Sequence, residues 1–451
     1  MKSPSVVFRS LSITGRRVSL LPLKQFARHP SLKQAKKTWA SVSMDQATKF
    51  HAKLQAVCSE SFEHTLNKDF RLNRGATVAA FLSDNTQLED AANSLSRGEF
   101  SDTRMGEVLY DIVFECWVRR PAFWTAMGPN REAYAELRRN VHLIAEGHDY
   151  LFTDVALGSL AFLAGNSDQS CGHYRKAAKR SSEGGYLDQP SWGVHTVSSQ
   201  SELLTLDGPL LPSWLGKLDI VSAPSGDGPL YLVTCDEVYL AAFGAGLVES
   251  VAARSPSKRV HFHIMNPTRF TNAEMARLEG VGVKLGFSTE EFSAKDIRPV
   301  YTAIRFLRMA ELLDELRCPI ISFDADATLT GDLVGEVMLA GGPMGFRRFP
   351  AFPGFHPWRK ASAGLVYAGN NDATRQFFNL VSMVLTSKLD PSHGRNWWVD
   401  QNALNASIDY LTRFTNVRWG NLGPAAARCI NFIERKGDVL AMARSRVTGE
   451  F

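Results

Sequence analysis

Between Met44 and Ser182 apolar residues recur every three or four positions, as at Val108, Ile112, Cys116 and then Val118, which predicts helices. Pro121, Gly128-Pro129 and Gly147 punctuate them. After Pro229 the period changes. Leu230–Cys235, Arg259–Met265 and Val283–Phe287 read as strands, and the apolar run Cys318–Phe323 as a further, buried one. Tyr239–Ala253 and Asn272–Glu279 read as the helices between them. Ala303–Leu316 predicts one amphipathic helix: Phe306, Met309, Leu313 and Leu316 share a face opposite Arg305, Arg308 and Glu311. Further on, Pro343–Arg347 and Ala363–Tyr367 read as short strands, and Thr374–Leu385 and Gln401–Leu411 as helices. Alternating strands and helices predict an α/β fold, a mixed and mainly parallel sheet flanked by helices, preceded by an all-α domain. The expected organisation is a basic extension (1–44), a helical domain (45–182), a linker rich in Gly and Pro (183–228), the α/β domain (229–440) and a tail (441–451).

A chain of 451 residues with 44% hydrophobic and 22% charged residues is globular and too long for one core. The six cysteines, at 58, 116, 171, 235, 318 and 429, are not spaced as a zinc knuckle or a redox pair, which fits a reducing, cytoplasmic compartment. Charge is unevenly spread. Lys2 to Lys37 include nine of the 51 basic side chains, and residues 1–44 hold none of the 46 acidic ones, so the remainder carries 42 basic against 46 acidic. The basic pI therefore belongs to the extension. Three readings stay open for it: a solvated tail, a contact with anionic lipid or nucleic acid at a membrane surface, and an organelle presequence. No run of 18 apolar residues predicts a transmembrane helix.

Within the helical region, Leu157-Gly158, Ala161, Gly165, Ser170, Tyr174 and Ala177 are spaced so that small residues admit Tyr174 between two antiparallel helices. The spacing resembles one tetratricopeptide unit, with Ser182 where proline is expected and no second copy; an ordinary helical hairpin fits equally.

Candidate chemistry gathers at Asp324-Ala-Asp326, where an apolar run ends. Ligand sites of open α/β sheets lie beyond the carboxyl ends of strands. Two carboxylates there can hold a divalent ion against a substrate's phosphates; an Asp-rich turn capping the strand is the structural alternative. The longer string Phe323–Leu329 also resembles the first motif of haloacid-dehalogenase-type phosphatases, with Asp324 as nucleophile. Only about 120 residues follow it, without a second acidic cluster.

The stretch from Tyr301 through Arg305 to Leu313, followed by Ile320–Leu333, resembles nucleotide-sugar glycosyltransferases of the glycogenin-like group (family 8 and relatives, GT-A fold). Three more stretches match in order: Leu232–Tyr239, then Ser362-Ala363-Gly364 with Leu365–Tyr367, then Trp397–Asn405. The resemblance covers roughly 229–436. It implies transfer of a sugar from a nucleoside diphosphate sugar to a glycan, protein or small-molecule acceptor, with retention at the anomeric carbon and with Mn²⁺ or Mg²⁺ as cofactor. Residue by residue, it implies that Asp324, Asp326 and Asn431 hold the metal, with Asp324 also toward the ribose. Thr234, Asp236 and Tyr239 would hold the base, and Arg305, Ser362, Gly364 and Lys436 the sugar and phosphates. Asp400 and Gln401 would lie beside the transferred sugar. The helical domain would take the acceptor or a protein partner. Two departures stand out. Ser362-Ala363-Gly364 replaces the group's Asn-Ser-Gly, and Asn431 replaces its metal-binding histidine. A non-catalytic relative that binds sugar nucleotides is the alternative from another functional class.

Overall fold

The computed structural model describes residues 78, 81–82, 85–98, 104–125, 128–183, 193–279, 282–293, 297–348, 354–389, 398–433 and 436–448. The extension over 1–44 lies outside them, as do Trp397 and Arg435. The chain forms two bodies: Met1–Leu95 with Val108–Arg120, and Ser96–Glu107 with Pro121–Phe451.

In the first body, helix α1 (Asn85–Ser96, its last residue outside that body) buries Leu88 and Leu95, and the Val108–Arg120 part of helix α2 (Arg104–Arg119) buries Tyr110, Val113, Phe114 and Cys116.

The second body begins with a small hairpin, β1 (Trp124–Thr125) and β2 (Gly128–Pro129), and three helices: α3 (Arg131–Gly147), α4 (Leu151–Leu163) and α5 (Ser167–Glu183). Glu107 accepts from Leu151 N and Phe152 N, both at 2.7 Å, and so caps α4, whose N-cap residue Tyr150 makes no side-chain capping bond. The spacing of small residues works as expected. Tyr174 is fully buried against Gly158, where a Cβ would come within 2.7 Å of its ring. Ser170 Oγ donates to Gly158 O at 2.7 Å. The hairpin also meets the α/β part: Tyr174 packs edge-on to Trp358 at 5.1 Å between ring centres, and Ser159 Oγ lies 2.6 Å from His356 Nδ1.

A short helix α6 (Gln200–Leu204), closed by a capping box at Ser199 and Glu202, leads to β3 (Asp219–Ser222). The segment expected as a linker thus supplies an edge strand. The strands β4 (Leu230–Cys235), β5 (Arg259–Met265), β6 (Lys284–Glu290) and β7 (Ile320–Phe323) alternate with α7 (Glu237–Arg254), α8 (Arg269–Leu278), α9 (Ile297–Leu307) and α10 (Met309–Leu316). After β7 come β8 (Ala327–Leu329), α11 (Leu333–Ala340), β9 (Met344–Arg348), β10 (Ala361–Ala368), α12 (Asp372–Lys388) and α13 (Val399–Phe414). The chain ends through β11 (Gly420–Asn421), α14 (Pro424–Arg428), β12 (Ile430–Phe432) and α15 (Gly437–Thr448), which packs on α7.

The eight-stranded sheet has the order β11-β9-β10-β7-β4-β5-β6-β3. Its centre, β7-β4-β5-β6, is parallel; β10 pairs antiparallel with both β7 and β9, and β3 closes the other edge antiparallel to β6. The fold is therefore the expected mixed α/β sheet flanked by helices. Alternation along β4 divides the core: Leu230 and Leu232 face α9, α10, α12 and α13, while Tyr231, Val233 and Cys235 face α7 and α11. No helix among the described residues is long and apolar enough to cross a membrane.

The amphipathic run expected as a single helix over 303–316 is two, broken at Arg308. Arg308 is buried, and its guanidinium donates to Glu290 (Nε to Oε2 2.9 Å, Nη2 to Oε1 3.0 Å), to Glu311 and to Gly216 O. Holding that fork in place bends the backbone where periodicity alone sees a continuous helix.

Glu290 belongs to a buried polar strip across β5 and β6. His261 Nε2 and His263 Nδ1 lie 2.8 and 3.0 Å from Ser288 Oγ, and His263 Nε2 lies 3.3 Å from Glu290 Oε2. Burial first, and then the neighbouring His263, pushes the His261 imidazole down from 6.5 to about 3. The unfolded chain takes up that proton near the ordinary value, so the stability contributed by the neutral ring is complete above it and is lost as pH falls toward about 3. Between pH 7 and 4 the unfolding free energy of the wild type should fall by about 3 kcal/mol more than that of His261→Gln, measured by urea denaturation. Equal acid limbs would refute this.

Candidate active site

Asp324 follows β7 directly, and Ala327 N donates to Asp324 O at 3.1 Å, closing a turn through Ala325 and Asp326 before β8. The turn gives the two carboxylates different surroundings. Asp324 is 41% exposed and ion-paired with Arg305, its Oδ1 2.8 Å from Nη2, while the Arg305 side chain on α9 is 4% exposed. Asp326 is buried and ion-paired with Lys436 Nζ. Ile433 N donates to Asp326 O at 3.0 Å, which ties the β12 end to the turn.

More cations converge here. Burial lowers the Lys436 ammonium below its usual range, and the charge of Asp324 opposes that shift. Arg347 on β9 is likewise depressed by burial and supported by Asp324, and its Nε has no hydrogen-bond partner. On β10, Ser362 pairs with Arg347 across the strands, and its Oγ accepts from Gly364 N at 3.2 Å. A Cβ at Gly364 would lie 3.3 Å from Asp324 Oδ2, so glycine lets the strand run close beside the carboxylate.

Asp400 joins the group from the first turn of α13, where it is buried. Burial raises its carboxyl above the usual range. The Arg305 guanidinium, the Gln401 N–H and a hydrogen bond with Thr302 pull it back, and Asp324 adds to the rise. Asp400 is not the helix cap. That position is Trp398, held at φ 67° in the left-handed region, where a non-glycine side chain is strained. With its amide nitrogen turned inward, Gln401 donates to Trp358 O at 3.0 Å and Ala361 O at 2.8 Å, so it fixes the entry to β10.

Thr234, Asp236 and Tyr239 lie at the carboxyl end of β4, the strand beside β7. Asp236 caps α7, its Oδ1 accepting from Tyr239 N at 2.8 Å, and burial raises its carboxyl despite that bond. Tyr239 packs on Phe243 at 5.4 Å between ring centres. Thr234 Oγ1 is buried without a hydrogen-bond partner.

Two functional candidates escaped the sequence. Arg347 sits on a short strand whose residue pattern gave it no role, and Thr302 precedes Arg305 by three positions on α9. The one available signal was that β9 runs parallel to β7 one strand away, across β10, and that α9 packs on β4 beside β7, which needs the sheet order to be seen.

The residues do not form the donor set for Mn²⁺ or Mg²⁺. Asp324 and Asp326 each carry a cationic partner. Phe432 reaches toward Gly364, and neighbouring strand residues point to opposite faces, so Asn431 on β12 points away from Asp324 and is exposed. Among the described residues no group of three or more His, Cys, Asp or Glu could hold a metal ion.

No protein-family model matches the chain, and no curated protein does. Solved structures match in part. The apo structure of the bifunctional glycosyltransferase WbbM is 13% identical, with a TM-score of 0.30 over 50% of this chain and 45% of that one. The galactosyltransferase LgtC, in complex with donor and acceptor sugar analogues, is 17% identical, with a TM-score of 0.30 over 40% of this chain and 69% of that one. The chain thus spans less than half the length of the first of these.

Proposed function

We propose that the protein is a glycosyltransferase that moves a sugar from a nucleoside diphosphate sugar to an acceptor. The observation that carries this is the meeting of three carboxylates (Asp324, Asp326, Asp400) with three cations (Arg305, Arg347, Lys436) at the carboxyl end of β7, beside the end of β4. Ligands of open α/β sheets bind in that position. The sequence resemblance supports the same reading and adds retention at the anomeric carbon. In this reaction the bond from the anomeric carbon to the diphosphate oxygen breaks and both electrons leave with the diphosphate. The acceptor hydroxyl oxygen bonds to that carbon, and its proton passes to the departing phosphate. Charge grows on the diphosphate as the bond breaks, so fixed cations aimed at it lower the barrier. Gly364 and Ser362 would line the sugar beside Asp324, and Thr234 Oγ1, Asp236 and Tyr239 the base.

A second reading, a non-catalytic binder of sugar nucleotides, is favoured by the engagement of Gln401 with two backbone carbonyls, which leaves its amide nitrogen no hydrogen for a sugar. One assay separates the readings. Incubation with UDP-, GDP- and dTDP-sugars should release nucleoside diphosphate, and Asp324→Ala should reduce release by about a hundredfold. Tight binding without release would favour the binder. Hydrolysis of p-nitrophenyl phosphate in place of both would make Asp324 a phosphatase nucleophile and sink the transferase reading.

A further inference from the structure

Resting on the diphosphate reading above, we propose that Lys436 takes the place of a divalent metal, so that donor phosphates are neutralised by protein cations alone. Three observations lead there. The buried Asp326 carboxylate, the better shielded of the two and so the natural metal ligand, is ion-paired with the Lys436 ammonium. The position that the resemblance assigns to a third ligand holds Asn431, exposed and pointing away. Arg347, half-buried and within the field of Asp324, has a buried Nε with no partner and so retains donor capacity for an incoming anion.

The chemistry is consistent. An ammonium presents three donors on a flexible stem and can bond a carboxylate and a phosphate oxygen together, whereas a guanidinium offers a fixed fork. Lys436 would bridge Asp326 to one phosphate while Arg347 takes another. Asp326 would then position the lysine rather than coordinate a metal. Bringing Mn²⁺ to Asp326 would first require breaking this pair and leaving Lys436 half-buried beside the ion, an arrangement of like charges.

The test uses the full chain. Mn²⁺ alone is titrated and its free aquo-ion followed by electron paramagnetic resonance, with no nucleotide present. The wild type should bind it weakly, and Lys436→Met should bind at least about tenfold more tightly because Asp326 is released. In EDTA, UDP, GDP and dTDP are titrated by calorimetry. The nucleotide that binds should do so within about twofold of its affinity in Mn²⁺, and Lys436→Met should weaken it in EDTA by about tenfold or more. Lys436→Arg, which keeps the charge, should lose less and controls for misfolding. Equal Mn²⁺ affinity in wild type and Lys436→Met would overturn the proposal, as would nucleotide binding by the wild type that requires Mn²⁺. If none of the three nucleotides binds in either condition, the diphosphate reading fails, and the Mn²⁺ titration still decides what Lys436 replaces.

Discussion

Arg305→Gln should reduce release of nucleoside diphosphate from the active sugar nucleotide by about a hundredfold or more. Arg305 is the buried centre of the candidate site: its guanidinium pairs with Asp324 at 2.8 Å and also acts on Asp400. Without it, the Asp400 carboxyl, which the charge of Asp324 already pushes up, loses the cation that opposes that rise. The Asp400 carboxyl, held above the usual range by burial, should climb further, and the acid limb of the pH–rate profile should move to higher pH. That shift separates a role in the site from general destabilisation, which would lower the rate at every pH alike. Arg305→Lys should restore the limb more than the rate, because an ammonium keeps the charge without the fork. Turnover within twofold of wild type in Arg305→Gln would remove Arg305 from the mechanism.

The largest stability effect should come from Arg308, one turn beyond. Burial pushes the Glu290 carboxyl up, yet the adjacent His263 ring and the Arg308 guanidinium outweigh it and hold the group below its usual range. Arg308→Met removes the bidentate partner and strands a fully buried carboxylate. Breaking one side of such a pair costs about 3–5 kcal/mol, and chemical denaturation should show that loss at neutral pH. Arg308→Met combined with Glu290→Leu should recover most of it, since removing both charges also removes the desolvation penalty. Additive losses in the double variant would show that Glu290 contributes through His263 rather than through Arg308.

The Lys436 proposal and the Arg305 prediction share a cause that only the turn at Asp324–Ala327 reveals. An extended strand would have pointed both carboxylates to one face, which is the geometry a metal needs. The turn sends Asp324 toward Arg305 and half into solvent, and buries Asp326 under Lys436. Asp-Ala-Asp spells either arrangement, because the choice depends on whether β12 returns to pair with β8, a contact between residues about a hundred positions apart.

The local elements and their class were legible in the order of residues alone. The stretches at 230–235 and 259–265 became β4 and β5 with the same bounds, since strands buried on both faces draw on β-branched, aromatic and other apolar residues at nearly every position, the two histidines of β5 being among the exceptions. Small residues around Tyr174 fixed the close helical hairpin, because only a missing side chain at Gly158 leaves room for the ring. The Asp-Ala-Asp at the end of a strand marked the place where chemistry could gather. The rest emerged only once the chain was folded. It broke the helix at Arg308 because a buried carboxylate on β6 claims that guanidinium. It turned the 219–222 stretch into an edge strand, and brought Arg347, Asp400 and Lys436 from three distant segments to the carboxyl end of β7. Local periodicity reports which face of an element avoids water. Which charges end up facing each other depends on the order of strands in the sheet, and no window of neighbouring residues contains that order.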